Sequence, residues 1–362
     1  MNKELSTYLN LLRVVGALEV LLGHMCIWKT SCGVVDRLPY LGSDGVVMFF
    51  VLSGYVVAYA SDRKDATPRS FAIGRCARIG SVMLPALVLT VGFELIGIRW
   101  FPDAYNEAFD HYQIAKIWLY LPIWLSFTSE VWTLNEPILI NSPFWSLCFE
   151  VWFYVFFAVS RFGRGLPRIA GMIGIAVFVG PKICIMSPLW FLGVWMYRLQ
   201  GRIVLSPTQA RLLLALSWSV YIAIKLLGLD EATTTAVDAA LGHMPLHYLQ
   251  MAWSTPGYLI VAACVACSIL AMRFAGFTLL GYWARPIGFT ASFTFTLYLI
   301  HMPALKFFAT VPGPYFGSMV GPAVLTLLLT FVLGMTTERK TAQWRAAMSR
   351  LFQVVLPAAK AG

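Results

Sequence analysis

Long apolar runs dominate the pattern of hydrophobic and polar positions along this chain. A run of about 20 mostly apolar residues is typical of a helix that crosses a bilayer. Ten such runs lie near residues 8–28, 42–60, 80–98, 144–160, 168–183, 187–199, 210–228, 256–272, 287–310 and 319–337. The pattern therefore predicts an all-α, polytopic membrane helix bundle with about ten transmembrane helices.

Two segments are left open by this pattern. The run at 187–199 is short for a span, so it either crosses the membrane or lies in the interface. The segment 115–127, AKIWLYLPIWLSF, is an interfacial or re-entrant helix or else a loop.

Composition agrees with a membrane protein and excludes a soluble domain. Of the 362 residues, 59% are hydrophobic and 12% are charged, and the mean hydropathy is +0.72. The net charge of +10 would suit a nucleic-acid partner, but positively charged cytoplasmic loops give a membrane protein the same excess. We expect a lipid bilayer and no nucleic acid as partners.

The cations are distributed unevenly over the connections. If the N-terminus is cytoplasmic, the inner segments hold most of the arginines, including Arg63, Arg161, Arg202 and Arg285, while the outer segments keep scattered cations. This asymmetry predicts that both termini are cytoplasmic. The expected domains are a membrane domain at 1–338 and a short basic cytoplasmic tail at 339–362.

The first apolar run, Tyr8 to Trp28, contains Asn10, Arg13, Glu19 and His24. A charged side chain at the centre of a span costs at least ~3 kcal/mol on insertion scales, so such residues usually serve a function. At about 100° per residue, Arg13 and His24 lie on nearly the same face, ~16 Å apart. Glu19 lies about 140° from His24 and should address a different helix.

Two polar blocks follow. The second run, LGSDGVVMFFVLSGYVVAY, has Asp44 at its outer mouth and Ser53 among glycines that allow close helix packing. Before the third run, RSFAIGRCAR places Arg75 and Arg78 three residues apart, on one side of a helix. The pair either clamps a phosphate or serves as ordinary positive flanking charge.

A fourth block, SPFWSLCFEVWFYVFF at 142–157, places Glu150 in an aromatic helix about one turn from Trp145 and Ser146. A buried carboxylate needs a base or donor from another helix, and an imidazole is the obvious candidate.

The ninth run, within SFTFTLYLIHMPAL, buries His301 behind Tyr298. A single buried histidine is commonly a satisfied core residue. A second intramembrane histidine, His24, together with Glu150 instead indicates acid–base machinery.

No metal site is expected. His243 and His247 are four residues apart, but Pro245 between them argues against a regular helix that would pair them as ligands.

The ordered blocks resemble the integral-membrane acyltransferase family 3, whose members esterify surface glycans. The resemblance rests on LNLLRVVGALEVLLGH with Arg13 and His24, on FFVLSGY at 49–55, on the Arg75/Arg78 pair, on WSLCFEVWFY at 145–154, and on TLYLIH ending at His301. The chain departs from the family pattern at Asn10 and Leu11, where an Asp-Gly pair is usual.

The resemblance implies transfer of an acyl group, commonly acetyl, from cytoplasmic acetyl-CoA to a hydroxyl of a surface or exported polysaccharide or a lipid-linked glycan, at a bacterial inner membrane. It implies His24 as base, Glu150 as its orienting acid, and His301 as a carbonyl-binding or proton-relay group. Arg13, Arg75 and Arg78 would bind the donor. Asp44, Ser53, Trp145, Ser146, Tyr154 and Tyr298 would support the substrates.

Two further functions stay open at this point. Intramembrane His, Glu and Arg also mark proton-coupled transporters of small solutes or glycan precursors. A non-catalytic scaffold is the other possibility, but it would give the buried titratable groups no role. Assembly into a homo-oligomer is neither indicated nor excluded.

Overall fold

The computed structural model describes residues 1–27, 41–105, 108–242, 247–310 and 320–355. Over these ranges the protein is helical, with short 3-10 turns and no named strand. Its helices are α1 (Lys3–Ile27), α2 (Gly42–Arg63), α3 (Pro68–Trp100), α4 (Ala108–Ala115), α5 (Ile117–Leu125), α6 (Trp145–Phe162), α7 (Gly165–Val179), α8 (Pro181–Leu199), α9 (Pro207–Leu227), α10 (Leu229–Ala240), α11 (Thr255–Met272), α12 (Leu279–Tyr282), α13 (Ala284–Ala291), α14 (Thr294–Thr310), α15 (Val320–Thr336) and α16 (Thr341–Val355).

The predicted all-α membrane bundle is confirmed. Among the described residues, seven helical segments are long and apolar enough to cross a bilayer. They are Lys3–Met25, Gly42–Arg63, Pro68–Trp100, Ser142–Phe162, Pro207–Leu227, Tyr248–Met272 and Val320–Val354. The total of ten spans stays a prediction.

Two predicted boundaries were wrong. The run at 168–183 is broken at Gly180, whose φ of 78° ends α7, and Pro181 then begins α8. The segment predicted as a short run at 187–199 is therefore a 19-residue helix. The run at 287–310 is likewise divided at Ser292 into α13 and α14.

The segment at 115–127, for which the sequence allowed a helix or a loop, is helical. Its main part, α5, has nine residues, which at 1.5 Å per residue gives a length of ~14 Å. That is about half the thickness of a bilayer core, so α5 cannot span it alone.

Glycines allow close helix crossings. A Cβ on Gly54 of α2 would overlap the backbone of Trp190 in α8, and one on Gly193 of α8 would overlap the backbone of Val51. Gly45 approaches the backbone of Gly16 in α1 in the same way. The small residues of the second run thus serve helix packing, as their pattern predicts.

The connections that carry most cations meet at one end of the bundle. Arg161 and Arg198 pair with Asp62 at the end of α2, at 3.4 and 2.7 Å. The amide of Asn2 donates to the carbonyl of Arg273 at 3.3 Å. This end matches the predicted inner side, although the orientation itself stays a prediction.

The basic tail begins as a helix. α16 packs against α3 at the cation-rich end, so residues 341–355 are part of the folded bundle.

Candidate active site

Five helices, α1, α2, α3, α6 and α14, enclose a cavity of about 280 Å³. Eight of the twelve predicted site residues line it, although they come from distant parts of the chain. They are Arg13, Ser53, Arg75, Arg78, Ser146, Glu150, Tyr154 and Tyr298.

The arginines of α3 are held by acids behind the cavity. Arg75 donates to Asp65 at 3.0 Å, and Arg78 lies 3.7 Å from Glu338. Asp65 also accepts from Arg345 of α16 at 2.7 Å. Sequence reasoning missed these acids. The signal in the sequence was weak, since Asp65 lies in a polar stretch just after α2 and Glu338 lies just before the tail.

One guanidinium group keeps a donor unused. The Nε of Arg75 is buried and has no hydrogen-bond partner within the described part of the chain. Three arginines and one glutamate line the cavity, so the lining has an excess of positive charge, and the acids that pair with Arg75 and Arg78 lie outside the lining. The cavity is therefore suited to an anionic ligand.

Glu150 contacts hydroxyl groups rather than a histidine. Its Oε1 accepts from Ser53 Oγ at 2.5 Å and from Tyr154 OH at 2.5 Å. Tyr154 in turn lies beneath the Arg75 guanidinium, 5.7 Å from ring centroid to Cζ. Sequence analysis predicted that Glu150 pairs with His24. Among the described residues no such contact is present, because the Glu150 carboxylate lines the cavity and accepts from Ser53 of α2.

The two predicted histidines do meet, outside the cavity lining. His301 Nε2 lies 3.3 Å from His24 Nδ1, and the ring centroids are 4.8 Å apart. His301 is fully buried, whereas His24 is half-buried. Residues 277 positions apart thus form a histidine pair between α1 and α14.

Backbone carbonyls fix the tautomers of both rings. A carbonyl oxygen only accepts, so the Nδ1 atom 2.8 Å from Tyr298 O in His301 carries a proton. The same argument protonates Nδ1 of His24, 2.8 Å from Val20 O. In its neutral form His24 then has its basic lone pair on Nε2, which points away from these partners.

Tyr298 lies between the cavity and the histidine pair. Its hydroxyl is 2.5 Å from Ser146 Oγ, and its ring centroid is 6.1 Å from that of His301. Trp145, next to Ser146, packs edge-on against Phe50 of α2 at 6.3 Å. The end of the cavity that is opposite the α3 arginines is therefore adjacent to His301 and His24.

Asp44 lies apart from this site. It forms an ion pair with Lys225 at 3.2 Å and lines a second cavity of about 530 Å³ at the histidine end of the bundle. Tyr221 of α9 donates to Asp44 at 3.0 Å and to Glu19 at 3.5 Å. Glu19 thus addresses a different helix from His24, as predicted.

The described residues contain no cluster of three or more side chains that could hold a metal ion. His243 and the side chain of His247 lie outside the described residues.

The fold and the cavity define a polytopic membrane protein with an internal cationic site next to a histidine pair. The profile of a family described as an acyltransferase domain matches residues 6–339. The chain therefore belongs to acyltransferase family 3, and the resemblance seen in its sequence blocks is confirmed.

A curated relative, the exopolysaccharide production protein ExoZ of Rhizobium meliloti (strain 1021), is 32% identical over 143 residues. The match covers 39% of this chain and 42% of that protein, so the chain spans less than half the length of the relative. No solved structure matches this chain significantly.

Proposed function

We propose that this membrane acyltransferase transfers an acetyl group from cytoplasmic acetyl-CoA to a hydroxyl of an exported or cell-surface polysaccharide. One observation carries the proposal: a single cavity has three arginines and Tyr298 in its lining, and Tyr298 lies beside a histidine pair in which His24 Nε2 has no hydrogen-bond partner among the described residues. Such a site binds an anionic donor at one place and removes a proton at another.

The arginines suit the phosphates of coenzyme A. Arg75 and Arg78 are positioned by Asp65 and Glu338, so their guanidinium groups keep a fixed orientation without a ligand. The unused Nε of Arg75 offers a donor to a phosphate oxygen. Arg13 lines the same cavity from α1.

The histidine pair suits the activation of a sugar hydroxyl. A hydroxyl is a poor nucleophile at neutral pH, and an imidazole whose pKa is ordinarily near 7 is a suitable base. His24 Nε2 takes the hydroxyl proton while the oxygen attacks the thioester carbonyl. The carbon–sulfur bond then breaks, an ester forms, and the proton passes from His24 to the thiolate.

His301 orients the base in this scheme. Its unprotonated Nε2 faces Nδ1–H of His24, which also donates to Val20 O. Two acceptors thus hold Nδ1–H of His24, and within the described ranges Nε2 has no hydrogen-bond partner. This role replaces the one that the sequence suggested for Glu150.

The acceptor class is suggested by the curated relative, which is named for exopolysaccharide production. A polysaccharide acceptor also suits the histidine end of the bundle, which the cation asymmetry predicts to face outward. We also propose that the protein lies in a bacterial inner membrane, because the relative is bacterial and the donor is expected on the cytoplasmic side.

The test uses membranes that contain the protein. Incubation with acetyl-CoA labelled in the acetyl group should transfer label to the polysaccharide fraction. A His24→Ala variant should lose about 10²–10⁴-fold in rate while remaining inserted and abundant, because a general base contributes that much. Normal transfer by an abundant His24→Ala protein would contradict the mechanism.

The sequence alone also allowed a proton-coupled transporter, because intramembrane charges also line permeation paths. It predicts uptake of solute into proteoliposomes without acetyl-CoA and no labelled polysaccharide. The family match favours the acyltransferase, and so does the Nε of Arg75, which has no hydrogen-bond partner in the described part of the chain and could donate to a phosphate.

A further inference from the structure

A third cavity lies at the histidine end of the bundle, on the far side of Trp145 from the arginines. Its volume is about 140 Å³, and its walls come from the segment before α6, from the start of α8 and from residues 249–251. The chemistry-bearing residues are Glu130, Asn135, Lys182, Gln250 and Trp145. The mechanism above does not use this cavity.

The charges in its wall cancel. Lys182 donates to Glu130 Oε2 at 2.7 Å, and both side chains are almost fully buried. Lys182 also donates to the carbonyl of Leu134. With one cation and one anion among the lining residues, the cavity favours neither an anionic nor a cationic ligand.

One buried acceptor in this wall is left unused. Glu130 is 2% exposed and lines the cavity, yet its Oε1 has no hydrogen-bond partner among the residues that the structure describes. Burial raises the pKa of the Glu130 carboxyl, and the Lys182 ammonium offsets this only in part. A ligand hydroxyl would supply the missing donor.

Backbone strain is concentrated around the same cavity. Within the described ranges, the non-glycine residues with positive φ are Phe127, Trp132, Leu139 and Gln250, and all lie in the two segments that border it. Gln250 has φ 49° and ψ −123°, a conformation that L-residues rarely adopt. Such strain tends to persist at functional sites, where the position of a side chain matters.

From these observations we infer that this cavity is a subsite for one neutral sugar residue of the acceptor glycan. Glu130 Oε1 accepts from a sugar hydroxyl, the exposed amides of Asn135 and Gln250 contact further hydroxyls, and Trp145 provides an apolar wall. The inference rests on the proposed function for the identity of the ligand as an acceptor. The volume is below the roughly 300–1,000 Å³ of pockets that hold whole ligands, so one sugar residue fits and a longer unit does not.

The subsite does not hold the reacting hydroxyl. Neither His24 nor His301 is in its lining, and Trp145 is connected to them only through the contacts of its neighbour Ser146 with Tyr298 and of Tyr298 with His301. It therefore binds a sugar near the one that is acylated. Its loss should raise the KM for acceptor and leave kcat and the KM for acetyl-CoA nearly unchanged.

The experiment measures binding and transfer separately. The probes are oligosaccharides released from the host's surface polysaccharide after mild alkaline removal of ester groups, separated into neutral and acidic fractions. Binding to the purified full-length protein is measured without acetyl-CoA, and transfer is measured with saturating acetyl-CoA.

Gln250→Ala and Asn135→Ala should each weaken binding of the neutral fraction about fivefold to tenfold, the effect of losing one hydrogen bond, and raise the acceptor KM equally. Gln250→Gly should bind as poorly as Gln250→Ala but unfold at a higher temperature, because glycine tolerates the positive φ. A merely structural glutamine would not combine these two effects. Gln353→Ala removes an exposed glutamine from α16 and serves as the matched control.

Unchanged binding and acceptor KM in both alanine variants would overturn the subsite, and so would binding confined to the acidic fraction. Failure of the proposed function is distinguishable, because the neutral fraction would then still bind in a Gln250-dependent manner while no acetyl label is transferred.

Discussion

At the scale of single residues, the site depends on which atoms already have partners. Sequence reasoning found the right residue types for acyl transfer and brought His24 and His301 into one hypothesis. It paired Glu150 with His24, whereas the structure gives Glu150 two hydroxyl partners and gives His24 a carbonyl and a second imidazole. The rotation of α6 about its own axis decides this, and no spacing within one helix reveals the rotation relative to its neighbours.

Arg75 allows a residue-scale prediction. Its guanidinium donates to Asp65 through one nitrogen, while its Nε has no hydrogen-bond partner among the described residues. A lysine ammonium is a point charge on a flexible stem and cannot serve both places with a planar fork. Arg75→Lys and Arg78→Lys should therefore raise the KM for acetyl-CoA about tenfold or more, while the amount of inserted protein stays the same.

The matched control for these variants is Arg161→Lys. Arg161 pairs with Asp62 on the exposed surface at the same end of the bundle, so this substitution keeps the flanking charge and leaves the cavity untouched. A wild-type donor KM in the double lysine variant would mean that Arg75 and Arg78 only set the membrane orientation.

At the scale of helices, the sequence predicted where apolar helices exist better than where they end. Gly180 divides a run that reads as continuous in hydropathy, because its positive φ is invisible to a count of apolar residues. The division of α13 from α14 at Ser292 is hidden as well, although Ser292 has an ordinary φ of −75°, because a count of apolar residues does not register the turn between the two helices. Close crossings were easier to foresee, since small residues within a span commonly mark the places where two helices touch.

The crossing of α2 and α8 provides a prediction for the helix scale. Alanine at Gly54 or Gly193 would force the two backbones apart, since its Cβ overlaps main-chain atoms of the partner helix. Overpacking of a well-packed core typically costs about 1–3 kcal/mol, and backbone has less freedom to move than side chains. Both variants should unfold at lower temperature in detergent and accumulate poorly.

Gly92 of α3 is the control for this experiment. A Cβ built there meets nothing within 4 Å, and Ala is favoured over Gly in a helix interior by roughly 0.5–1 kcal/mol. Gly92→Ala should therefore match or exceed the wild-type melting temperature. Equal stability of Gly54→Ala and Gly92→Ala would show that the α2–α8 crossing is looser than described.

At the scale of the whole molecule, charge is sorted between the two ends of the bundle. Asp62, Asp65 and Glu338 meet the arginines at one end, while Lys182 and Lys225 pair with acids at the other. The sequence indicated the cation asymmetry but not these acids. They lie in the short polar stretches beside the apolar runs, and only the assembled bundle shows their partners.

The tail helix and α10 provide the test of orientation. Gln353 lies on α16 at the cation-rich end, and Ala239 lies on α10 beside the opposite end, and both are exposed. The positive-inside rule places the first in the cytoplasm and the second outside. In intact cells, an impermeant thiol reagent should label the Ala239→Cys variant above the background of the parental protein, whereas the Gln353→Cys variant should gain label only after lysis.

Labelling of Gln353→Cys before lysis would place Arg75 and Arg78 on the outer side. Cytoplasmic acetyl-CoA could not reach them there, so that result would remove the donor site assigned to the cavity and the direction of acyl transfer with it.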